Sequence, residues 1–116
     1  MLYICPTPIG NLGDITLRTL EVLKQAHLVA CEDTRRTRIL LERHGVAAAR
    51  LLSFHDHNED QRLRTLLPIL REGKDVAVVS DAGMPGLSDP GFTLIRACAA
   101  EGLPVTVLPG PSAIST

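Results

Sequence analysis

The sequence is poor in cysteine and in aromatic residues, and it contains no long apolar run. It holds three cysteines, no tryptophan, one tyrosine and two phenylalanines. Cys5, Cys31 and Cys98 are an odd number at wide spacing, which fits neither a disulfide framework nor a zinc site, so we expect buried, reduced thiols. The apolar runs are far shorter than the roughly 20 residues that span a bilayer, and no signal-peptide pattern opens the chain. These absences predict a cytoplasmic protein.

Neither sign of charge dominates the chain. Twelve Lys and Arg residues stand against thirteen Asp and Glu residues, a formal net charge of −1. Such a balance excludes a general electrostatic attraction to nucleic acid, so a nucleic-acid partner would have to bind local basic patches. The 116 residues are 45% hydrophobic, which is typical of one ordinary folded domain and excludes the disordered and collagen-like classes.

Five short apolar runs, several of them rich in β-branched residues, predict five strands. They cover residues 2–5, 28–31, 51–54, 76–79 and 105–108. Most of these runs are apolar on both faces rather than alternating, which is typical of strands that are covered on both sides in a parallel sheet.

Helical patterns lie between the predicted strands. They cover residues 16–26, 35–44, 58–73 and 92–100, and glycines at positions 45, 73 and 102 end three of them. Asn58 and Gln61 predict a capping box, and Pro68 predicts a kink or a break rather than one straight helix. Right-handed crossovers turn this order into an α/β fold with an open, mostly parallel five-stranded sheet and helices on both faces. Ligands of such sheets bind outside the carboxyl ends of the strands.

Gly/Pro-rich segments follow the first, fourth and fifth predicted strands. They cover residues 6–14, 80–91 and 109–111. The second of them exceeds the about 2–6 residues usual in such loops, and long ordered loops are usually functional. The dinucleotide and P-loop glycine fingerprints are absent and no lysine accompanies the loops, so their main-chain groups suit a nucleoside or an amino-acid zwitterion rather than a triphosphate. For the first segment, an ordinary turn is the alternative.

Charged residues follow the second predicted strand. Glu32 and Asp33 stand where an acid can accept a hydrogen bond from a ribose, although Asp33 or Thr34 could instead cap the next helix. That helix carries a local basic surface, adequate for a few phosphate contacts or simply solvated. The surface consists of Arg35, Arg36, Arg38 and Arg43.

Two histidines follow the third predicted strand, in the run of residues 55–59. His55 and His57 with flanking carboxylates lack a third remote ligand, so we predict no metal site. Hydrogen bonding or proton acceptance at the ligand crevice is a use that fits an imidazole. Alternatively, Asn58 caps the next helix and its neighbours are solvated.

Taken together, these segments resemble the tetrapyrrole methylase superfamily and, within it, the branch of small-subunit rRNA (cytidine-2′-O)-methyltransferases. The resemblance rests on residues 7–16, 32–37, 55–59, 80–91 and 109–113. It implies an enzyme that uses S-adenosylmethionine to methylate the 2′-hydroxyl of a cytidine in rRNA of the small (30S) ribosomal subunit. It also implies a homodimer whose subunits hold the cofactor between two α/β domains.

The resemblance also implies roles for single residues. Three loops would bind S-adenosylmethionine, through Pro8, Ile9, Gly10, Asn11, Leu12, Ser80, Asp81, Ala82, Gly83, Met84, Pro85, Gly86, Asp89, Pro109, Gly110, Pro111, Ser112 and Ala113. Met84 stands where the family usually has threonine. The substrate RNA would be bound by Arg35, Arg36, Arg38 and Asn58. From their places at strand ends we predict Asp33 or Glu32, and after them His55, as acceptor of the ribose proton.

The sequence leaves the extent of the protein and two other functions open. It stops about one helical turn after Pro111, so we expect residues 1–116 to be the N-terminal domain of a larger protein, with the C-terminal domain outside this chain and the isolated piece inactive. A precorrin-type C-methyltransferase would share the glycine-rich loops, but the segments at 32–35 and 55–59 are not expected in it. A non-catalytic module that binds a nucleotide or rRNA is the other alternative.

Overall fold

Strands and helices alternate along the whole described part of the chain. The computed structural model describes residues 1–6, 16–47, 50–55, 57–80 and 89–108. The elements are β1 (Leu2–Pro6), α1 (Leu17–Gln25), β2 (Leu28–Cys31), α2 (Thr34–Arg43), β3 (Leu51–Ser53), α3 (Glu59–Arg71), β4 (Val76–Ser80), α4 (Asp89–Glu101) and β5 (Val105–Val107). The five predicted strands and four predicted helices are thus confirmed, with α4 beginning three residues before the predicted start.

The strands form one sheet in the order β3-β2-β4-β1-β5. Each neighbouring pair in it is parallel. The chain moves in one direction from β1 through β2 to β3, and returns through β4 to β5. Because crossovers between parallel strands are right-handed, the two directions place their helices on opposite faces of the sheet. The predicted fold class is therefore confirmed.

Alternate strand residues feed two apolar clusters, one on each face of the sheet. Leu2, Ile4 and Val76 pack with Leu66 of α3 and Leu94 of α4 on one face. The other face buries residues of α1 and α2 against the intervening strand positions: Cys5, Val22, Leu23, Val29, Cys31, Leu41, Ala77 and Val79. Both faces of the sheet are thus covered, which explains why the strands are apolar throughout.

Three helices end in the same type of turn. Gly45, Gly73 and Gly102 follow α2, α3 and α4 with positive φ angles of 68°, 84° and 71°. After α2, the Gly45 N–H donates to the Glu42 carbonyl and the Val46 N–H to the Leu41 carbonyl, which is a Schellman motif. The same pair of bonds follows α3 and α4. The predicted helix ends at these glycines are confirmed, because glycine adopts a positive φ without steric cost.

The predicted capping box at Asn58 is wrong. Asn58 occupies the N-cap position of α3, but its side chain makes no capping hydrogen bond there. The carboxamide is bonded instead to Ser53 and to the main chain of His55. Glu59 and Asp60 in the first turn place negative charge at the positive end of the helix, which stabilises α3 without a side-chain cap.

Of the kink or break predicted at Pro68, the break is also wrong, because α3 continues through it to Arg71, and the kink stays a prediction. The missing N–H of Pro68 affects only the carbonyl of Arg64, and both residues are exposed, so water can bond that carbonyl. Leu66 and Leu70, on either side of the proline, are buried and hold the last turns of the helix against the sheet.

The cysteine prediction is confirmed. Cys5, Cys31 and Cys98 are buried, and none of the three forms a disulfide. Burial raises the pKa of the Cys5 thiol to about 12 and also raises that of Cys98. Within the described ranges, no helix combines the length and the apolar character that a membrane crossing requires.

Candidate functional site

The carboxyl ends of the strands lie level with one another along one edge of the sheet. Ser53 of β3, Cys31 of β2, Val79 of β4 and Cys5 of β1 are partners in register. The residues that follow them therefore leave the sheet side by side, about 4.8 Å apart from strand to strand. This carboxyl edge is where an open parallel sheet binds its ligands.

The strand order divides the carboxyl edge into two sides. On the three-strand side, β4, β1 and β5 are neighbours, and each precedes one of the three Gly/Pro-rich segments. On the two-strand side, β3 and β2 are neighbours, and they precede the histidine and the acidic-arginine segments. The fold thus groups five separate segments into two sets by chemistry, although in the sequence the two segments of the two-strand side lie between the first and second Gly/Pro-rich segments.

Most of the predicted cofactor residues lie outside the described part of the chain. They are Pro8, Ile9, Gly10, Asn11, Leu12, Asp81, Ala82, Gly83, Met84, Pro85, Gly86, Pro109, Gly110, Pro111, Ser112 and Ala113. Ser80 is the last residue of β4 and Asp89 the first residue of α4. Because Pro6 pairs with Ser80 in register, the segments after β1 and β4 start at neighbouring points of the sheet.

Asp33 caps α2. Its Oδ1 accepts hydrogen bonds from the main-chain N–H groups of Arg35 and Arg36, at 3.0 and 3.1 Å. The capping alternative of the sequence is therefore confirmed, with Thr34 as the first helical residue. Glu32, directly before it, is exposed. Glu32 consequently has its whole carboxylate available to a ligand, whereas Asp33 has only Oδ2 uncommitted to the cap.

The imidazole of His55 is fixed between two N–H groups. Its Nδ1 lies 3.2 Å from the main-chain N of His57, and its Nε2 lies 3.3 Å from Nδ2 of Asn58. A neutral imidazole has one lone pair, so it accepts a hydrogen bond from one of these donors at a time. A role as proton acceptor would therefore require the ring to exchange one of these contacts for the substrate.

Ser53 and Arg62 also belong to this part of the edge, and the sequence did not predict either of them. Arg62 of α3 donates from Nε to the main-chain oxygen of Ser53 at 2.7 Å, and from Nη2 to its Oγ at 3.1 Å. Asn58 also donates to Ser53, at 3.3 Å to the main-chain oxygen and 3.2 Å to Oγ. Helical spacing is a signal that could have found Arg62, because a residue four positions after Asn58 lies on the same face of a helix.

The predicted RNA-binding arginines lie on the solvent side of α2. Arg35, Arg36 and Arg38 are exposed, whereas the opposite face of the helix buries Thr37, Leu40 and Leu41. This exposure fits both alternatives that the sequence left open, phosphate contacts and a solvated face. A cleft of about 360 Å³ between α2 and β3 is lined by a further cation, Arg50, together with Arg38 and Glu42. The sequence reasoning did not single out Arg50, which follows an Ala-rich loop.

Metal ligands are not grouped in the part of the chain that the structure describes. No set of three or more His, Cys, Asp or Glu side chains there is arranged to hold a metal ion. The rings of His55 and His57 meet edge to face, with centroids 5.8 Å apart. Both ring nitrogens of His55 face N–H donors of its own turn, which leaves the pair a poor chelate.

The fold and its carboxyl edge define the class of this protein. Residues 1–116 match the family described as Tetrapyrrole (Corrin/Porphyrin) Methylases. The chain belongs to the tetrapyrrole methylase family, whose members are S-adenosylmethionine-dependent methyltransferases. The family predicted from the sequence motifs is thereby confirmed.

Curated relatives give a more particular likeness. The chain is 56% identical over 115 residues to the ribosomal RNA small subunit methyltransferase I of Escherichia coli O157:H7, covering 99% of this chain and 40% of that protein. It is 51% identical to the protein of the same name from Hydrogenobaculum sp. (strain Y04AAS1), covering 99% of this chain and 50% of that one. The corresponding Thermotoga maritima protein is 50% identical, with coverage of 99% and 51%. The chain thus spans about half the length, or less, of these relatives.

Solved structures share the fold. A cobalt precorrin-4 methyltransferase of cobalamin biosynthesis superposes with a TM-score of 0.75 at 25% identity, covering 94% of this chain and 45% of that one. The uroporphyrin III C-methyltransferase of Thermus thermophilus gives a TM-score of 0.71 at 22% identity, covering 94% and 48%. These likenesses show a shared architecture. They do not indicate the substrate of this protein.

Proposed function

We propose that the protein containing this chain is an S-adenosylmethionine-dependent methyltransferase that modifies the 2′-hydroxyl of a cytidine in small-subunit rRNA. The observation that carries the proposal is the division of the carboxyl edge into a three-strand and a two-strand side. Three relatives named for methylation of small-subunit rRNA, each at least 50% identical over nearly the whole chain, support the choice of substrate.

The three-strand side fits S-adenosylmethionine. Three loops rich in glycine and proline start from adjacent strands there, so main-chain groups can approach an adenosine and an amino-acid zwitterion closely without bulky side chains. The helix after β4 lies on the opposite face of the sheet from the helices after β1 and β2. Ligand crevices in open sheets form between neighbouring strands whose helices change face in this way. The segments 8–12, 80–86 with Asp89, and 109–113 would hold the molecule, which supplies an electrophilic methyl group when bound.

The two-strand side would bind and orient the RNA. Arginines on the exposed face of α2 would contact phosphates, and Asn58 and His55 would lie beside the ribose. In methyl transfer a bond from the methyl carbon to the ribose 2′-oxygen would form as the carbon–sulfur bond of the donor breaks, S-adenosylhomocysteine would leave, and the hydroxyl proton would pass to an acceptor. Of the predicted acceptors, Glu32 has its whole carboxylate available, Asp33 has Oδ2, and His55 must first give up a contact within its turn.

A transfer assay with the full-length protein tests the proposal. We expect purified small ribosomal subunits and labelled S-adenosylmethionine to give label on the ribose of one cytidine, located by mass spectrometry of nuclease fragments. Label on a base would reject the ribose 2′-hydroxyl as the target. No transfer to RNA, together with methylation of a precorrin or uroporphyrinogen, would reject the proposal in favour of a tetrapyrrole substrate. Binding of S-adenosylhomocysteine without any transfer would leave only a binding module.

The proton acceptor has its own test. Replacing Glu32, Asp33 and His55 together, by Gln, Asn and Gln, should lower the rate by about 10²–10⁴-fold if one of them takes the proton. Asp33→Asn is the matched variant for the cap, because asparagine caps helices about as well as aspartate. An unchanged rate in the triple variant would mean that none of the three acts as base.

Assembly and location complete the proposal. We infer a cytoplasmic homodimer, in which a second α/β domain supplies the other wall of the cofactor cleft, as the family resemblance implies. Light scattering on the full-length protein should give the mass of two subunits. Residues 1–116 alone should transfer no methyl group, and robust transfer by that piece would contradict the two-domain cleft.

A further inference from the structure

We propose that Arg62 is a positioning residue for the substrate end of the site, acting through Ser53 and Asn58 on His55. The inference rests on the proposed function, since it concerns how the two-strand side is held. The residues concerned lie in the β3–α3 turn, defined as residues 53–55 and 57–58, and in the first turns of α3.

The guanidinium of Arg62 fastens the last residue of an edge strand. Among the strands that the structure describes, β3 pairs only with β2, so none of them lies on its other side to hold its carboxyl end. Arg62 supplies two donors there, Nε to the Ser53 main-chain oxygen at 2.7 Å and Nη2 to the Ser53 hydroxyl at 3.1 Å. Two parallel bonds from one planar group fix direction as well as distance.

Asn58 links Ser53 to His55 through its side-chain hydrogen bonds. Its Nδ2 donates to the same two oxygens of Ser53, and its Oδ1 accepts from the main-chain N–H of His55 at 2.9 Å. Its Nδ2 also lies 3.3 Å from the His55 ring. Asn58 forms these bonds in place of a helix cap, which is worth about 1 kcal/mol elsewhere. The turn therefore uses its polar side chains to hold His55.

The charge of Arg62 does not explain its place. It is half-buried, and no carboxylate in the described ranges forms an ion pair with it. A half-buried cation without a partner carboxylate is costly in desolvation, so its contribution here comes from its hydrogen bonds to Ser53. A substitution should therefore test the geometry of the two hydrogen bonds from Arg62 to Ser53, rather than the charge of Arg62.

The experiment compares Arg62→Ala, Arg62→Lys and Ser53→Ala in the full-length protein with Arg64→Ala, an exposed arginine of the same helix. We expect Arg62→Ala to lower kcat by about 10–100-fold through misplacement of the ribose-binding groups, while the KM for S-adenosylmethionine stays unchanged. Arg62→Lys keeps the charge but not the two-donor geometry, and should restore only part of the rate. Ser53→Ala removes one acceptor of the pair and should give a smaller loss of the same kind.

A second measurement does not depend on methyl transfer. In protein labelled with ¹⁵N-histidine, the ring nitrogens of His55 should report one dominant tautomer, and Arg62→Ala or Ser53→Ala should shift it toward a mixture. Arg64→Ala should leave the spectrum unchanged. If Arg62→Ala fails to fold by circular dichroism, Ser53→Ala and Arg62→Lys decide the question.

The outcomes separate this inference from the proposed function. Absence of RNA methylation by the wild-type protein would reject the proposed function, while the histidine spectra would still decide whether Arg62 fixes His55. Wild-type methylation combined with equal kcat values for the Arg62→Ala and Arg64→Ala variants, or with unchanged His55 signals, would overturn the positioning role.

Discussion

The two sides of the carboxyl edge solve different binding problems with different means. The three-strand side is followed by three Gly/Pro-rich segments with few charged side chains, which suits a ligand held by main-chain groups. On the two-strand side, side chains dominate: Asp33 caps α2, and Arg62 and Asn58 both donate hydrogen bonds to Ser53. Under the proposed function, a small cofactor and a large RNA would meet on one edge, because neighbouring strands of the same sheet present separate surfaces.

The three-strand and two-strand sides differ in the residues at the carboxyl edge, but this division does not extend into the apolar core. Each apolar cluster contains residues from both sides, for example Ile4 of β1 with Leu28 of β2 and Leu52 of β3. The strand β4 pairs with β1 on one side and with β2 on the other. The two surfaces should therefore be separable by mutation in binding assays but inseparable in stability.

Ile4→Ala should have the largest effect and tests the shared core. Ile4 is 1% exposed, and removing a buried side chain of this size lowers the free energy of unfolding by about 2–5 kcal/mol. We expect hydrogen exchange to accelerate in β2 as well as in β1. Leu17→Ala, at an 80% exposed residue, is the control. Loss of protection confined to β1 would show that the two sides are separate folding units.

Asp81→Asn should sharpen the comparison on the three-strand side. A charge-assisted hydrogen bond to the cofactor is worth about 1.5–3 kcal/mol, so we expect its removal to lower the affinity for S-adenosylhomocysteine by about 10–100-fold. Affinity for small ribosomal subunits should not change. Calorimetry and filter binding measure the two constants, and a parallel fall in both would contradict the division.

The double variant Arg35→Gln, Arg38→Gln tests the two-strand side. For each phosphate of single-stranded RNA that an arginine no longer neutralises, the slope of log K against log salt should become shallower by about 0.7, with S-adenosylhomocysteine binding unchanged. Arg96→Gln, on the exposed side of α4, is the matched control. An unchanged slope would assign the α2 arginines to a merely solvated surface.

Glu101→Gln should have the smallest effect. Arg71 donates to both carboxylate oxygens of Glu101, at 2.6 and 2.7 Å, joining α3 to α4 at the surface. This hydrogen bonding lowers the pKa of Glu101 from its ordinary 4.5, so its contribution is present above that pH and is lost as the pH falls below it. Thermal unfolding at about pH 7 and about pH 3 should show a slight difference between wild type and variant that disappears in acid, because exposed pairs contribute little.

Local patterns predicted most of the fold. Apolar runs gave the strands, and glycines gave three helix ends, because both depend on neighbours within a few residues. The strand order could not be predicted in this way. β4 inserts between β2 and β1, so Leu2 meets Val76, a partner far away in the sequence. The exposure of Pro68, which permits an unbroken helix, likewise depends on tertiary packing.

The candidate site was predicted less completely. The cap at Asp33 was among the alternatives, because N-cap preferences are local. The hydrogen bonds of Asn58 were not predicted. An asparagine at that position can cap its helix or bond to the preceding turn, and the path of residues 53–55 decides between these two arrangements. Ser53 and Arg62 carry no motif. Their roles arise from the pairing of a strand end with a helix that begins several residues later.

The tight glycine turns after α2, α3 and α4 lie at the amino side of the sheet, opposite the carboxyl edge. Lys74, exposed beside Gly73, lies at the start of β4, a strand of five residues that separates it from the carboxyl edge by about 17 Å. The three native thiols of this chain are buried, so a cysteine introduced at Lys74 would react selectively with a maleimide dye. A fluorescent reporter could thus be tethered to one rim of the sheet and follow ligand arrival at the other.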